Sequence, residues 1–165
     1  MYMALNFESQ FEFENSGFCV RPICHADIQT LRVWRNANRQ FFHHQEIISE
    51  KEQELWFANF AGDVTRQLFI CERKNESIAC VGFQTKTGEK VELFNLICGH
   101  PLFLGSGFMS CFFASVQEQL VEKGVREIIL EVLKNNNRAI HWYFKQGFTQ
   151  IGQEEKVLKL LLKIK

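Results

Sequence analysis

Apolar positions along this chain fall into two rhythms, one of strands and one of helices. Phe18 to Ile23 reads as a short strand stopped at Pro22, since proline removes a ladder donor. Asp27 to Trp34 then carries apolar residues at spacing three, as one helix face does. Ser49-Glu50-Lys51-Glu52 fits a capping box, with Ser49 accepting from the Glu52 amide while Glu52 reaches back. Leu55, Trp56 and Phe60 supply the apolar face of this second helix.

Three branched or aromatic runs follow, Gln67 to Glu72, Ile78 to Thr85 and Val91 to Cys98. Lys74-Asn75-Glu76 and Thr87-Gly88-Glu89-Lys90 separate them and suit hairpin turns, so an antiparallel meander is predicted. From Gly107 the rhythm becomes helical, with Phe108, Phe112, Val116 and Leu120 at steps of four and Gly124 as terminator. Arg126 to Leu133 reads as a buried strand and Asn137 to Gln146 as a helix with Ala139, Ile140, Tyr143 and Phe144 on one face. Phe148 to Ile151 and Lys156 to Ile164 close the chain as strands. The order β-α-α-β-β-β-α-β-α-β-β predicts an α/β (α+β) fold: a mixed, mostly antiparallel sheet of about seven strands flanked by about four helices, with a parallel step through the helix at 107–123. Residues 1–17 form a polar and aromatic lead-in, where Phe7, Phe11 and Phe13 add a strand or pack on the body.

Length changes the picture little: 165 residues without repeat, low-complexity tract or linker fit a single domain over 1–165. Charge excludes more. Lys plus Arg and Asp plus Glu both number 19, so no net field favours nucleic acid. No stretch has the length and apolarity of a signal or membrane span, and a cytoplasmic protein that makes no membrane contact is expected. Six scattered cysteines, with no paired spacing and no histidine at zinc-site spacing, read as reduced core residues and predict no metal.

Two segments carry chemistry. Ile97 to Phe108 is a strand end, a glycine-rich turn and a helix start, and backbone amides at such a helix N-terminus can cradle a pyrophosphate. Asn136-Asn137-Arg138-Ala139-Ile140-His141-Trp142-Tyr143-Phe144-Lys145-Gln146-Gly147-Phe148 follows a buried strand. It resembles the N-x-R-A-I-x-x-Y-x-K-x-G-F segment of GNAT acetyltransferases. The glycine turn resembles that family's Q/R-x-x-G-x-G/A motif, with Gly105 and Gly107 on the small positions and Leu102 in place of the polar residue. Trp34-Arg35-Asn36, Ile48-Ser49 and Leu55-Trp56-Phe57 are similar to a W-R-N and I-S-x-x-x-x-x-W-F pattern. That pattern belongs to a subgroup of enzymes acetylating nucleotide-linked amino sugars or the N-termini of ribosomal proteins. The resemblance spans residues 18 to 155.

The resemblance implies an N-acetyltransferase that moves an acetyl group from acetyl-CoA, its co-substrate, directly to a primary amine of a small acceptor, an amino sugar leading. A protein N-terminal acetyltransferase and a catalytically silent acyl-CoA-binding module are the alternatives. By the same resemblance, the amides of Leu104, Gly105, Ser106, Gly107 and Phe108 hold the pyrophosphate, and Asn136 or Asn137 holds the pantetheine arm or caps the helix. Tyr143 protonates the departing thiolate. The base is Glu92, a histidine such as His43, His44 or His100, or water, and Glu92 qualifies only if a bulge shifts its register. Trp34, Arg35 and Trp56 line the acceptor pocket, with Arg35 facing a phosphate, or both tryptophans are core. A monomer and a homodimer both fit.

Overall fold

The computed structural model describes residues 10–13 and 16–165. Its sheet has eight strands: β1 (Phe11–Phe13), β2 (Phe18–Pro22), β3 (Arg66–Arg73), β4 (Glu76–Thr87), β5 (Lys90–Cys98), β6 (Glu127–Leu133), β7 (Thr149–Gln153) and β8 (Val157–Lys163). They lie in the order β1-β2-β3-β4-β5-β6-β8-β7, and every pairing is antiparallel except β5 with β6. The eighth strand comes from the lead-in, where Phe11 lies opposite Val20 and Phe13 opposite Phe18. Phe7 falls outside the described residues.

Helices α1 (Ile28–Ala37) and α2 (Glu50–Ala61) cover one face of the sheet. Leu31 and Trp34 of α1 and Phe60 of α2 pack there with Leu68, Ile70, Cys80 and Ile97. Helices α3 (Phe108–Glu122) and α4 (Asn137–Lys145) cover the other. Phe108, Phe112, Phe113, Val116 and Leu120 of α3 join Tyr143 of α4 in the larger cluster, against Val91, Leu93, Ile128, Leu130 and Val132 of the central strands. Strand alternation therefore divides β5 and β6 between the faces: the core residues of β6 look to α3 and α4, and their neighbours look to α1 and α2.

Local chemistry fixes the helix ends. The Ser49–Glu52 capping box forms as the sequence predicts, with the Glu52 amide 3.3 Å from Ser49 Oγ and the Ser49 amide 2.7 Å from Glu52 Oε2. The chain enters α1 through a short 3-10 turn, His25–Asp27, so the α-helix begins later than its apolar spacing suggests. Asp27 causes the offset: it accepts from the Cys24 amide at 2.8 Å and from both terminal nitrogens of Arg21, at 2.7 and 2.9 Å, which locks the turn to β2. No helix among the described residues is long and apolar enough to cross a membrane.

Candidate active site

The central feature is a gap between two parallel strands. Register pairs β5 and β6 only at Lys90–Glu127, Val91–Ile128 and Glu92–Ile129, and beyond these rungs the strands separate. A bulge in β5 explains the divergence. Cys80 of β4 lies opposite Ile97 and Gly82 opposite Phe94, so β5 carries one residue more than β4 between these rungs. Asn95 absorbs it in a left-handed conformation (φ 50°). The Cys80 thiol donates to the Asn95 carbonyl oxygen at 3.1 Å, and burial pushes that thiol up to about 12, so it stays protonated as a donor.

One mouth of the gap is built of backbone. After β5, His100 Nδ1 accepts from the Leu102 amide at 3.3 Å and starts the 3-10 turn Pro101–Phe103. Gly105 and Gly107 follow with φ of 73° and 85°, a conformation that opposes a Cβ sterically. A Cβ added at either would meet nothing within 4 Å, so conformation demands glycine and the space before the turn is open. The Phe108 amide is taken by Ser106 Oγ at 3.3 Å, whereas no backbone bond engages the amides of Gly105, Gly107 or Met109 among the described residues. These free donors, at the head of the 15-residue α3, suit a pyrophosphate. Phe108 itself is core. Leu102 is 81% exposed, which places an apolar side chain where the motif carries a polar one.

At α4 the structure separates the two asparagines. Asn136 is the N-cap, its Oδ1 accepting from the Ala139 amide at 3.2 Å, while the exposed Asn137 side chain is uncommitted among the described residues. Ser110 Oγ receives Trp142 Nε1 at 3.2 Å and Gln146 Nε2 at 3.0 Å, tying α4 to α3. Tyr143 is only 8% exposed, its ring edge-on to those of Trp142 and Phe148. No hydrogen bond engages its hydroxyl among the described residues, and burial pushes its pKa above the ordinary value, so it is a proton carrier at neutral pH.

The other mouth is built of side chains. Arg35 Nη1 donates to Asn95 Oδ1 at 2.9 Å, and the guanidinium lies 3.7 Å from the centre of the Phe42 ring. No carboxylate pairs with Arg35 among the described residues, and burial lowers its pKa. Asn135 Nδ2, beyond the end of β6, donates to the Gln40 carbonyl at 3.2 Å, and His43 Nε2 stands 3.5 Å from Glu131 Oε2. The segment after α1 thus touches both walls of the gap.

Core contacts and an ion pair hold the remaining expected site residues. Trp34 is 8% exposed in the core, its indole flat on the Gly99 backbone, where any Cβ would collide with it. Trp56 stacks on Phe60 with centroids 5.0 Å apart, packed against the same core. Glu92 sits on the last shared rung, yet its carboxylate pairs with Lys86 of β4, on the side of β5 away from β6. The bulge lies between Glu92 and Pro101, at Asn95, and the Lys86 pairing draws the carboxylate toward β4. Asn95, Phe42 and Glu131 gave no local signal in the sequence, because each acquires meaning only through a partner far along the chain.

Comparison with known proteins decides the family. The acetyltransferase (GNAT) family model matches residues 30–148, well over half the chain. The chain belongs to the GNAT family. It is an acetyl-CoA-dependent N-acetyltransferase, and the free turn amides and the strand gap fit that co-substrate. Among solved structures, a domain from Methanocaldococcus jannaschii superposes with a TM-score of 0.77 at 20% identity, over 89% of this chain and 98% of that one. Spermidine N-acetyltransferase from Vibrio cholerae, solved with CoA and spermine, gives 0.75 at 20% identity, over 90% and 96%. Campylobacter jejuni N-acetyltransferase PseH gives 0.69 at 16% identity, over 90% and 99%. These likenesses establish the fold. Comparison with curated protein sequences gives no match.

Proposed function

We propose that this GNAT enzyme acetylates the primary amine of a small acceptor that also carries an anionic group, an amino sugar bearing a phosphate being the leading class. Arg35 carries this reading: a half-buried cation without a carboxylate, held by Asn95 at the bulge where the gap opens. Removing a guanidinium from water is unfavourable unless an anion compensates, and a ligand anion supplies what the protein lacks. The sequence likeness to enzymes acting on nucleotide-linked amino sugars supports the same class. A peptide N-terminus is a poorer fit, because the segment through Phe42 and His43 bridges the acceptor mouth.

Acetyl-CoA supplies the acetyl group as a thioester. The amides of Gly105, Gly107 and Met109 orient its pyrophosphate, and the uncommitted Asn137 is the asparagine free to reach the pantetheine arm. Tyr143 gives its proton to the departing thiolate. A raised tyrosine pKa makes a weak acid, but the burial that raises it acts on a thiolate too: the buried Cys71 and Cys80 are each pushed up to about 12. Donor and acceptor are thereby brought toward balance.

Thiol release measured with glucosamine 6-phosphate and with spermidine tests the acceptor class. The phosphate-bearing amine is expected to be the better acceptor. Arg35→Gln is expected to raise its KM about tenfold or more and leave acetyl-CoA affinity unchanged. Preferential turnover of spermidine, or indifference of the phosphate-bearing acceptor to Arg35→Gln, sinks the reading.

A further inference from the structure

The base that takes the acceptor's proton has to stand at the acceptor mouth, and the strands flanking the gap narrow the choice. Beyond the shared rungs, β5 contributes Leu93-Phe94-Asn95-Leu96-Ile97-Cys98 and β6 contributes Leu130-Glu131-Val132-Leu133. Glu131 is the only carboxylate among them. Its neighbours Leu130 and Val132 belong to the core beneath α3 and α4, so Glu131 faces the opposite side, that of α1 and α2. Glu131 is not solitary there. Its Oε1 is 3.6 Å from Lys159 Nζ of β8, which leaves Oε2 for His43 at 3.5 Å.

His43 owes its position to its neighbours. Phe42, one residue earlier, lies against Arg35, which is bonded to Asn95 on the other wall. Two consecutive residues therefore reach opposite strands, Phe42 by way of Arg35 and His43 directly, and the Asn135 bond to the Gln40 carbonyl anchors the same segment. The imidazole stands beside the acceptor mouth with Nε2 turned to a carboxylate and Nδ1 without a partner among the described residues. A carboxylate beside Nε2 selects the tautomer with its proton there and leaves Nδ1 as the acceptor.

We infer that His43 is the general base of this acetyltransferase and that Glu131 is its positioning residue, an inference resting on the acetyl-transfer reading above. The amine nitrogen forms its bond to the acetyl carbon while the carbon–sulfur bond breaks. The amine proton passes to His43 Nδ1, the Tyr143 proton passes to the sulfur, and water returns the first proton to the tyrosinate, so the cycle closes without a co-reactant. The charged groups facing His43 are Glu131 of β6, Lys159 of β8 and Glu154 before β8, with Arg35, Arg39, His44 and Glu46 on or beside its own segment. Lys159 stands between the two carboxylates, 2.6 Å from Glu154 and 3.6 Å from Glu131.

Two readouts separate this inference from the reading beneath it. Calorimetric binding of acetyl-CoA to the unaltered protein and to His43→Gln tests the co-substrate site alone, and both are expected to bind equally. Thiol release is then followed across pH, both with glucosamine 6-phosphate and with water as the only nucleophile, the latter needing no identified amine. His43→Gln is expected to lower the rate about a hundredfold and to remove the acidic limb of the pH–rate profile. Glu131→Gln is expected to lower kcat less, about tenfold, and to leave the acceptor KM unchanged, as the loss of a partner that positions the base does. His25→Gln is the control, breaking a similar histidine–carboxylate pair, with Glu54 on α2, and should change neither rate nor limb. A His43→Gln enzyme that binds acetyl-CoA and keeps both the rate and the limb overturns the inference. Failure of the unaltered protein to bind acetyl-CoA overturns the co-substrate site instead.

Discussion

The two mouths of the gap are made of different material. On the side of α3, the site consists of backbone: amides of a turn shaped by Gly105 and Gly107, with the cost of that shape confined to a few consecutive residues. On the side of α1 and α2, it consists of side chains joined across the chain, Arg35 to Asn95 over a separation of 60 residues and Asn135 to Gln40 over 95. A backbone cradle holds any ligand with the right charge and depends little on residue identity outside its glycines. A side-chain mouth is open to substitution one residue at a time, which suits the proposed role of this half in selecting an acceptor.

Tyr143, the proposed acid, is buried in the core with α3 and the central strands, and changing it should break the comparison most. Tyr143→Phe keeps the ring between Trp142 and Phe148 and removes a hydroxyl that no group among the described residues binds. Stability is expected to stay within about 1 kcal/mol, while kcat falls about 10² to 10³-fold and acetyl-CoA affinity is retained. Thiol-release kinetics and calorimetry measure the two. A variant with full kcat would leave the cleft without its acid.

Scaffold changes should divide along the same line. Asp27→Asn leaves the Arg21 guanidinium with Glu72 alone and removes the carboxylate that seats α1 on β2. A loss of about 2–3 kcal/mol is expected by chemical denaturation, with the acceptor KM disturbed and acetyl-CoA affinity spared. The pH dependence has a definite sign. Burial pushes the Asp27 carboxyl up, but Arg21 and the Cys24 amide and thiol pull it further down, so its folded pKa lies below the ordinary value. Its stabilisation is present above the unfolded pKa of about 3.9 and is lost as pH falls through the folded one. That acid limb should vanish from the unfolding curve of Asp27→Asn.

These differences also explain what a reader of the sequence can see. The alternating and helical rhythms found the strands and helices because each depends on neighbours within a few residues, and the Ser49–Glu52 box and the Asn136 cap are likewise local. The glycine turn and the α4 segment were legible for the same reason. The divergence of β5 from β6 depends on partners far along the chain. Its cause, the left-handed Asn95, shows no trace in the run Leu93 to Cys98, because the extra residue is defined against β4. Trp34 read as pocket or core, and only the fold packs its ring on Gly99. Glu131 carries no signal of its own in the sequence, because its partner His43 is brought beside it only by the fold.

The cradle is sharpened by changing backbone preference alone. Gly107→Ala places a Cβ in open space but opposes φ 85°, at a cost of about 1–2 kcal/mol. The strain turns the Gly107 and Met109 amides from their aim, and acetyl-CoA affinity should fall about tenfold while the binding of an acceptor analogue is unchanged. Thermal unfolding with and without acetyl-CoA reads both effects.

The smallest effect asks whether the cradle uses any side chain at all. Leu102 occupies the motif's polar position and is exposed, so Leu102→Arg has no core contact to lose and should leave stability unchanged. A guanidinium there adds a solvent-screened attraction for pyrophosphate, expected to raise acetyl-CoA affinity about three- to fivefold at low salt. Raising the ionic strength should abolish the gain, because the Debye length then falls below the separation of exposed charges. An affinity that ignores the substitution at every salt concentration would mean that position 102 lies too far from the phosphates to act. The amides of Gly105, Gly107 and Met109 would then bind them unaided, and the contrast between a backbone mouth and a side-chain mouth would be complete.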